Sequence, residues 1–255
     1  MEYNLSYLAC NFYNNIALGR YSNIVPWSKI GYNGDVNNVE EDLISQGGTY
    51  TWLAAASTMN LVSTSATDNA GGVGARTVTI YGLTAAGAET SETVTMTGTT
   101  TANTIVEFFR INNMRVATTG TNYKAVGNLI LYAGTTTCGY IVAGYTRQRQ
   151  CVYTVPTGKT LYVTSLVFSS AALAAGHFGK FTTRATFDDK SGVDLGPNFF
   201  MPFHEVLLQD MSFERDLEIP TKLGGGIDLK VTCLGDASNS GLIVSCALRG
   251  FLTTP

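Results

Sequence analysis

Charge is scarce in this 255-residue chain. Asp, Glu, Lys and Arg make up 14% of it, against roughly a quarter in an ordinary soluble domain. With 16 Lys+Arg against 19 Asp+Glu there is no basic surplus, and nucleic-acid phosphates are held by clustered Lys and Arg. Two histidines leave little material for acid–base catalysis or zinc ligation. Long apolar runs are missing as well. The uncharged stretches Leu43–Thr67 and Ala125–Thr146 are broken by Gly and rich in Thr, so neither reads as the roughly 20-residue apolar helix that spans a bilayer. Met1-Glu2-Tyr3 opens without the basic and apolar regions of a secretion signal. The low charge is also no sign of disorder, because hydrophobic residues reach 45% and disordered chains are poor in them.

Gly (27 residues), Thr, Ser and Asn occupy the positions that charge has vacated. Five cysteines (Cys10, Cys138, Cys151, Cys233, Cys246) show no CxxC spacing and read as buried free thiols of a protein made in a reducing cytoplasm. Residues 1–46 differ from the remainder. Seven aromatics (Tyr3, Tyr7, Phe12, Tyr13, Tyr21, Trp27, Tyr32) fall in the first 32 positions, with no helical or strand period through them. This stretch reads as an extended N-terminal arm that caps the main domain or docks on a partner, since aromatics combine large apolar contact with a polar handle.

From Gly47 onward the pattern is of short alternating runs between Gly, Asn, Asp and Ser turns, the mark of an all-β sandwich or barrel. Ala75–Leu83 places Val78 and Ile80 on one face and Thr77, Thr79 and Tyr81 on the other. Glu92–Thr97 repeats this with Val94 and Met96 inward, and Thr90–Thr104 holds eight Thr, which favour strand over helix. Further strands are predicted at Ile105–Val116, Asn128–Ala133, Gly139–Ala143, Thr160–Phe168, Thr182–Phe187, Glu205–Leu208, Ile227–Leu234 and Leu242–Leu252. Short helical turns are predicted at Val39–Ile44, where three acids crowd the first turn, at Ala54–Met59 and at Ala171–Ala175. The expected fold is a jelly-roll-like antiparallel β-sandwich over residues 47–255. A sub-boundary falls near Arg147-Gln148-Arg149, but no Pro- or Ser-rich linker marks a second domain.

The chemical motifs are incomplete. Gly158-Lys159-Thr160 ends like a phosphate loop, but Tyr153 stands where the first Gly belongs and a strand follows instead of a helix. Gly71-Gly72-Val73-Gly74 lacks the third Gly of a dinucleotide fingerprint, having Thr77 there. Asp188, Asp189 and Asp194 match no calcium loop and read as a hairpin turn. His177 and His204 lie 27 residues apart, and no G-x-S-x-G elbow exists. No catalytic residue, cofactor or metal is expected.

The stretches S-A-T-D-N-A-G-G-V-G-A-R-T-V-T-I-Y-G-L (Ser65–Leu83), E-T-V-T-M-T-G (Glu92–Gly98), F-F-R-I-N-N-M-R-V (Phe108–Val116) and Y-T-V-P-T-G-K-T-L-Y-V (Tyr153–Val163), with the closing segments Ile227–Thr232 and Val244–Phe251, resemble virion structural proteins of tailed bacteriophages. The resemblance is greatest to β-sandwich capsid decoration (cement) proteins. It implies a non-enzymatic protein on the capsid surface, made in the host bacterial cytoplasm and bound as a homotrimer to the major capsid protein, without nucleic-acid or membrane contact. On that reading the seven arm aromatics dock on a partner. The arginines Arg110, Arg115, Arg147 and Arg149, rare charges on a neutral surface, sit in intersubunit contacts. The alternative is a tail, fibre or head-vertex component that reads a host glycan through Phe199, Phe200, Phe203 and His204 beside Asn198.

Overall fold

The computed structural model describes residues 12–172, 177–186, 200–236 and 241–254. Their organisation follows from one long nested hairpin. β1 (Ile24–Val36) pairs with β16 (Leu242–Thr253), β10 (Val152–Thr154) with β15 (Asp228–Gly235), β11 (Thr160–Ala172) with β14 (Ser212–Leu223), and β12 (Gly179–Ala185) with β13 (Met201–Leu208), all antiparallel. First meets last, second meets second-to-last, and so inward. Rolled over itself, this hairpin gives two four-strand arrays, β1-β16-β11-β14 and β10-β15-β12-β13, the two-sheet jelly roll. The short β2 (Glu41–Asp42) pairs with β15 beside β10.

Alternation builds the core between the sheets. On β15, Leu229, Val231 and Cys233 point inward to meet Leu161, Val163, Phe168, Phe181, Val244 and Leu248 in one buried cluster. The opposite face of β15 carries Asp228, Lys230 and Thr232, and each is held from outside the jelly-roll core: by Arg110, by Asp42 and by Glu40. One strand therefore sets both the apolar interior and a polar seam.

The first and second strands of the jelly roll are separated in sequence by a complete second sandwich. The chain leaves at Ile44 and returns at Gln150, and these two residues pair in an antiparallel bridge. Ser45 Oγ donates to the Arg149 carbonyl at 3.0 Å beside it. Between them, β6 (Ala102–Phe108), β3 (Ser57–Ser63), β8 (Leu129–Ala133) and β9 (Thr136–Ile141) form one sheet. β5 (Glu89–Thr95), β4 (Ala75–Leu83) and β7 (Arg110–Thr119) form the other. Their core is separate from the first: Met59, Leu61, Val78, Ile80, Phe108, Met114 and Leu131 at its centre. One end of this sandwich is organised by the buried carboxylate of Asp68, which accepts from the amides of Ala75, Val126 and Gly127 and from the Ser63 hydroxyl at 2.6–3.0 Å. A Cβ at Gly74 would lie 2.0 Å from that carboxylate, so the glycine there is needed for close approach rather than for a nucleotide.

Several expectations are corrected. Residues 1–46 are not one arm: β1 supplies an edge strand of the jelly roll, and Leu43 and Ile44 are fully buried. Only residues 12–17 form a helical turn ahead of it. Residues 47–255 are two sandwiches, one inserted in the other, rather than one. The Val39–Ile44 helix is replaced by β2, because the acids bond outward instead of facing helix amides: Glu41 accepts from Asn33 and Gly48, and Asp42 accepts from the Tyr50 amide. Ser57 to Met59 are strand, not a helical turn. The Ile105–Val116 strand is split at Phe109, where the chain crosses from one sheet to the other. The described cysteines, Cys138, Cys151, Cys233 and Cys246, are buried free thiols. No helix among the described residues is long and apolar enough to cross a membrane.

Candidate functional site

The two sandwiches meet along a polar joint. Arg110, at the start of β7, reaches Asp228 on β15 in a two-pronged bond, Nε to Oδ1 and Nη2 to Oδ2, both 3.1 Å. Both side chains are buried, and the remaining guanidinium nitrogen donates to the carbonyls of Leu53 and Phe109. The Phe109 ring stacks 3.9 Å from the guanidinium carbon and Trp52 lies 5.2 Å away. A planar, weakly hydrated cation is suited to such a place. Two residues along, the Asn112 side chain behaves like a strand backbone: it donates to the Thr154 carbonyl and accepts from the Thr154 amide, both at 2.9 Å.

Beside this joint lies a groove of about 850 Å³, within the range of small-molecule sites. Its walls come from β1, β4, β5 and β7 and from the returning chain at Arg147-Gln148. Lys29, from β1, projects into the lining and is buried. Its ammonium donates to the Asn112 carbonyl and is paired to no carboxylate among the described residues. Burial lowers the Lys29 pKa to about 8; the Cys151 and Cys246 thiols oppose that shift and the Arg147 guanidinium adds to it. The ammonium is therefore still mostly charged at neutral pH. Arg115 and Arg147 face each other across an antiparallel bridge, which brings two exposed guanidiniums to the rim, that of Arg115 lying over the Tyr81 ring at 5.2 Å. Glu89, the acid in the lining, is already held by Lys159 at 2.5 Å.

The residues singled out from sequence distribute as follows. Tyr3, Tyr7, Phe199, Asn198, Cys10, Asp188, Asp189 and Asp194 lie outside the described residues. Phe12, Tyr13 and Tyr21 gather with Phe251 of the jelly roll, with ring centroids 5.5–5.8 Å from Phe12, so this part of the expected arm seats on its own chain. Trp27 is buried in the jelly-roll core, edge-on to Tyr153 at 5.1 Å, and is corrected from a docking residue to a core residue. Tyr32 and Tyr145 sandwich the Arg149 guanidinium at 4.0 and 3.9 Å. That clamp ties the jelly roll to the returning chain. Arg110 is buried inside one chain, so its expected intersubunit contact is corrected to an intramolecular one. Arg147 lines the groove. Phe200 stacks on Trp52 at 5.9 Å and Phe203 packs against the jelly-roll core, so these two rings serve packing; His204 donates or accepts at Thr221.

Sequence reasoning passed over Lys29, Asn112 and Asp228. Two of them carried a signal. Lys29 stands two residues from Trp27 in a strand and so shares its buried face. Asp228 is an acid opening the otherwise apolar alternation of Ile227–Thr232. Among the described residues no group of three His, Cys, Asp or Glu is placed to hold a metal ion.

No family model matches the chain, and no curated protein matches it. Solved structures from infectious bursal disease virus align over most of its length. The Gt strain structure is 8% identical, over 90% of this chain and 72% of that one, with a TM-score of 0.19. The Gx strain structure is 13% identical over 90% and 70%, with a TM-score of 0.17. The VP2 subviral particle is 10% identical over 91% and 81%, with a TM-score of 0.14.

Proposed function

We propose that this chain is a structural component of a virus particle, a decoration protein that seats on the major capsid protein as a homotrimer and stiffens the shell. The observation that carries the reading is the nested strand order of the jelly roll, an architecture used by viral capsid domains and by lectins and cupins. The cupin alternative, which holds its ligand inside the barrel, lacks support: the interior here is filled by Leu, Val and Phe. The bacteriophage origin is inferred from the resemblance of Ser65–Leu83, Glu92–Gly98 and Phe108–Val116 to tailed-phage virion proteins.

The contact surface falls at the open edges. β13 and β14 are the outer strands of the two sheets and follow one another in the chain. Leu207, Met211 and Ile219 stand exposed there, with Phe203, Phe213 and Leu217 half-buried behind them. Ile219, at 86% exposure, rides on a bulge in which residues 217–220 of β14 lie opposite Thr164 alone. Bulges and charged side chains such as Glu214, Arg215 and Asp216 discourage edge-to-edge strand pairing, so side-chain packing is the mode of contact left to this edge. Low surface charge reduces the desolvation that such packing costs.

Sedimentation of the purified protein tests this. A species of three times the 27.2 kDa chain is expected, dissociating to monomer on Ile219→Asp with unchanged circular dichroism, together with hundreds of copies per particle. A monomeric parent protein, a trimer indifferent to Ile219→Asp, or a few dozen copies per particle would overturn it; closed shells formed by the protein alone would reassign it as the shell subunit.

A further inference from the structure

The groove at the joint has a composition that the shell role does not use. Three cations, Lys29, Arg115 and Arg147, converge on it and none is paired to a carboxylate among the described residues, while its one acid, Glu89, is neutralised by Lys159. Like charges brought this close repel, and Lys29 is also taken out of water. The chain meets that cost at three positions contributed by β1, β7 and the returning segment. Backbone pairing between Arg115 and Arg147 fixes the two guanidiniums relative to each other. Gln148, beside them, is buried, and its side-chain amide is engaged inside the joint, Nε2 donating to Gln150 Oε1. Ser91 and Thr90 add hydroxyls, and the Tyr81 ring adds an aromatic wall.

We propose that this groove is a binding site for a carboxylate-bearing saccharide. Guanidiniums bind carboxylates with two parallel, charge-assisted bonds, which gives Arg115 and Arg147 their role at the rim. The ammonium of Lys29 adds a fixed point charge deeper in. Sugar hydroxyls supply both donors and acceptors, and so match the hydroxyls of Ser28, Thr90 and Ser91 in the lining in a way that an acetate-sized anion does not. Tyr81, beneath the Arg115 guanidinium, adds an apolar wall beside the rim. A volume of about 850 Å³ takes a short oligosaccharide, not a folded protein segment. The inference is independent of the shell assignment, because it uses the joint and not the β13–β14 edge.

The test is isothermal titration of the full chain with trigalacturonic acid, with its methyl ester and with hexaglutamate. Binding of the acid at least tenfold tighter than of the ester is expected, and at least a tenfold loss in Arg147→Gln. Because Arg147 is exposed, that variant retains its fold, and its thermal unfolding is measured alongside. Arg115→Gln serves as a second surface variant with the same expectation. Equal affinity for acid and ester, no saccharide binding at all, unchanged affinity in both arginine variants, or tighter binding of hexaglutamate than of the trisaccharide would each overturn the proposal.

Discussion

The two sandwiches solve the same problem with different materials. In the jelly roll the paired strands are far apart in sequence, up to 13 residues long, and packed over a continuous interior of Leu, Val and Phe. The inserted sandwich pairs its strands within residues 57–141, through strands of 5–10 residues that join hairpins such as β4–β5 and β8–β9 to longer-range pairs such as β3–β8. Threonine pairs such as Thr77–Thr118 and Thr79–Thr93 bond across its faces, and its core is smaller, with Met at three positions. The difference teaches where each can tolerate change. The jelly roll depends on its first and last strands at once, whereas the insert closes on itself and hands its ends back at a single bridge.

The sharpest way to break the comparison is to delete residues 1–46. That removes β1, β2 and the buried Leu43 and Ile44, so the jelly roll is expected to be lost altogether while the insert keeps its strands. Hydrogen exchange read region by region checks this: protection should survive in β3–β9 and vanish in β10–β16. Next in size is the joint. Asp228→Ala leaves the Arg110 guanidinium buried and unpaired, which costs roughly 3–5 kcal/mol where measured for buried ion pairs. The expected outcome is a single unfolding transition resolving into two, with the insert melting apart from the jelly roll in calorimetry. The smallest effect is carried by Lys29. Its folded pKa of about 8 lies below the unfolded value of 10.5, so the penalty is fully present below pH 8. As pH rises from 8 to 10.5 the unfolded chain holds a proton that the folded one has released, and stability increases. The two pKa values together amount to about 3 kcal/mol. Lys29→Met should therefore be more stable than the parent at pH 7, with the advantage shrinking through that window in urea titrations.

Legibility in sequence did not follow that divide: Thr160–Phe168, Ile227–Leu234 and Leu242–Leu252 of the jelly roll were readable, while β3 of the insert was not. Ala75–Leu83 was readable to the residue, because Val78 and Ile80 alternate with Thr and the strand has one buried and one polar face. β1 was not, although its burial alternates just as cleanly. Its inward residues are Trp27, Lys29, Gly31 and Asn33, only one of which is hydrophobic. Gly31 is there because a Cβ would meet Cys151 and Leu43 within 2.8 Å, and Lys29 and Asn33 because that face turns toward polar neighbours. β14 escaped notice because residues 217–220 interrupt its register and with it the period of two. Of the candidate site, Arg147 and Arg115 stood out as rare charges. The convergence of Lys29 with them was hidden, since the two arginines lie 86 and 118 residues along the chain from it.

The pairing of β1 with β16 also fixes the order in which this protein can be completed. At about 5–20 residues added per second, the ribosome finishes β1 roughly 10–45 seconds before it reaches the end of β16. The insert has its strand partners within residues 57–141 and is able to close during that interval. The newly made first strand, 13 residues long, must wait through it with its backbone donors and acceptors unmet. Lysine, glycine and asparagine on its inward face make it a poor template for stray strands, so the residues that concealed β1 from a hydrophobic pattern also keep it soluble until its partner arrives.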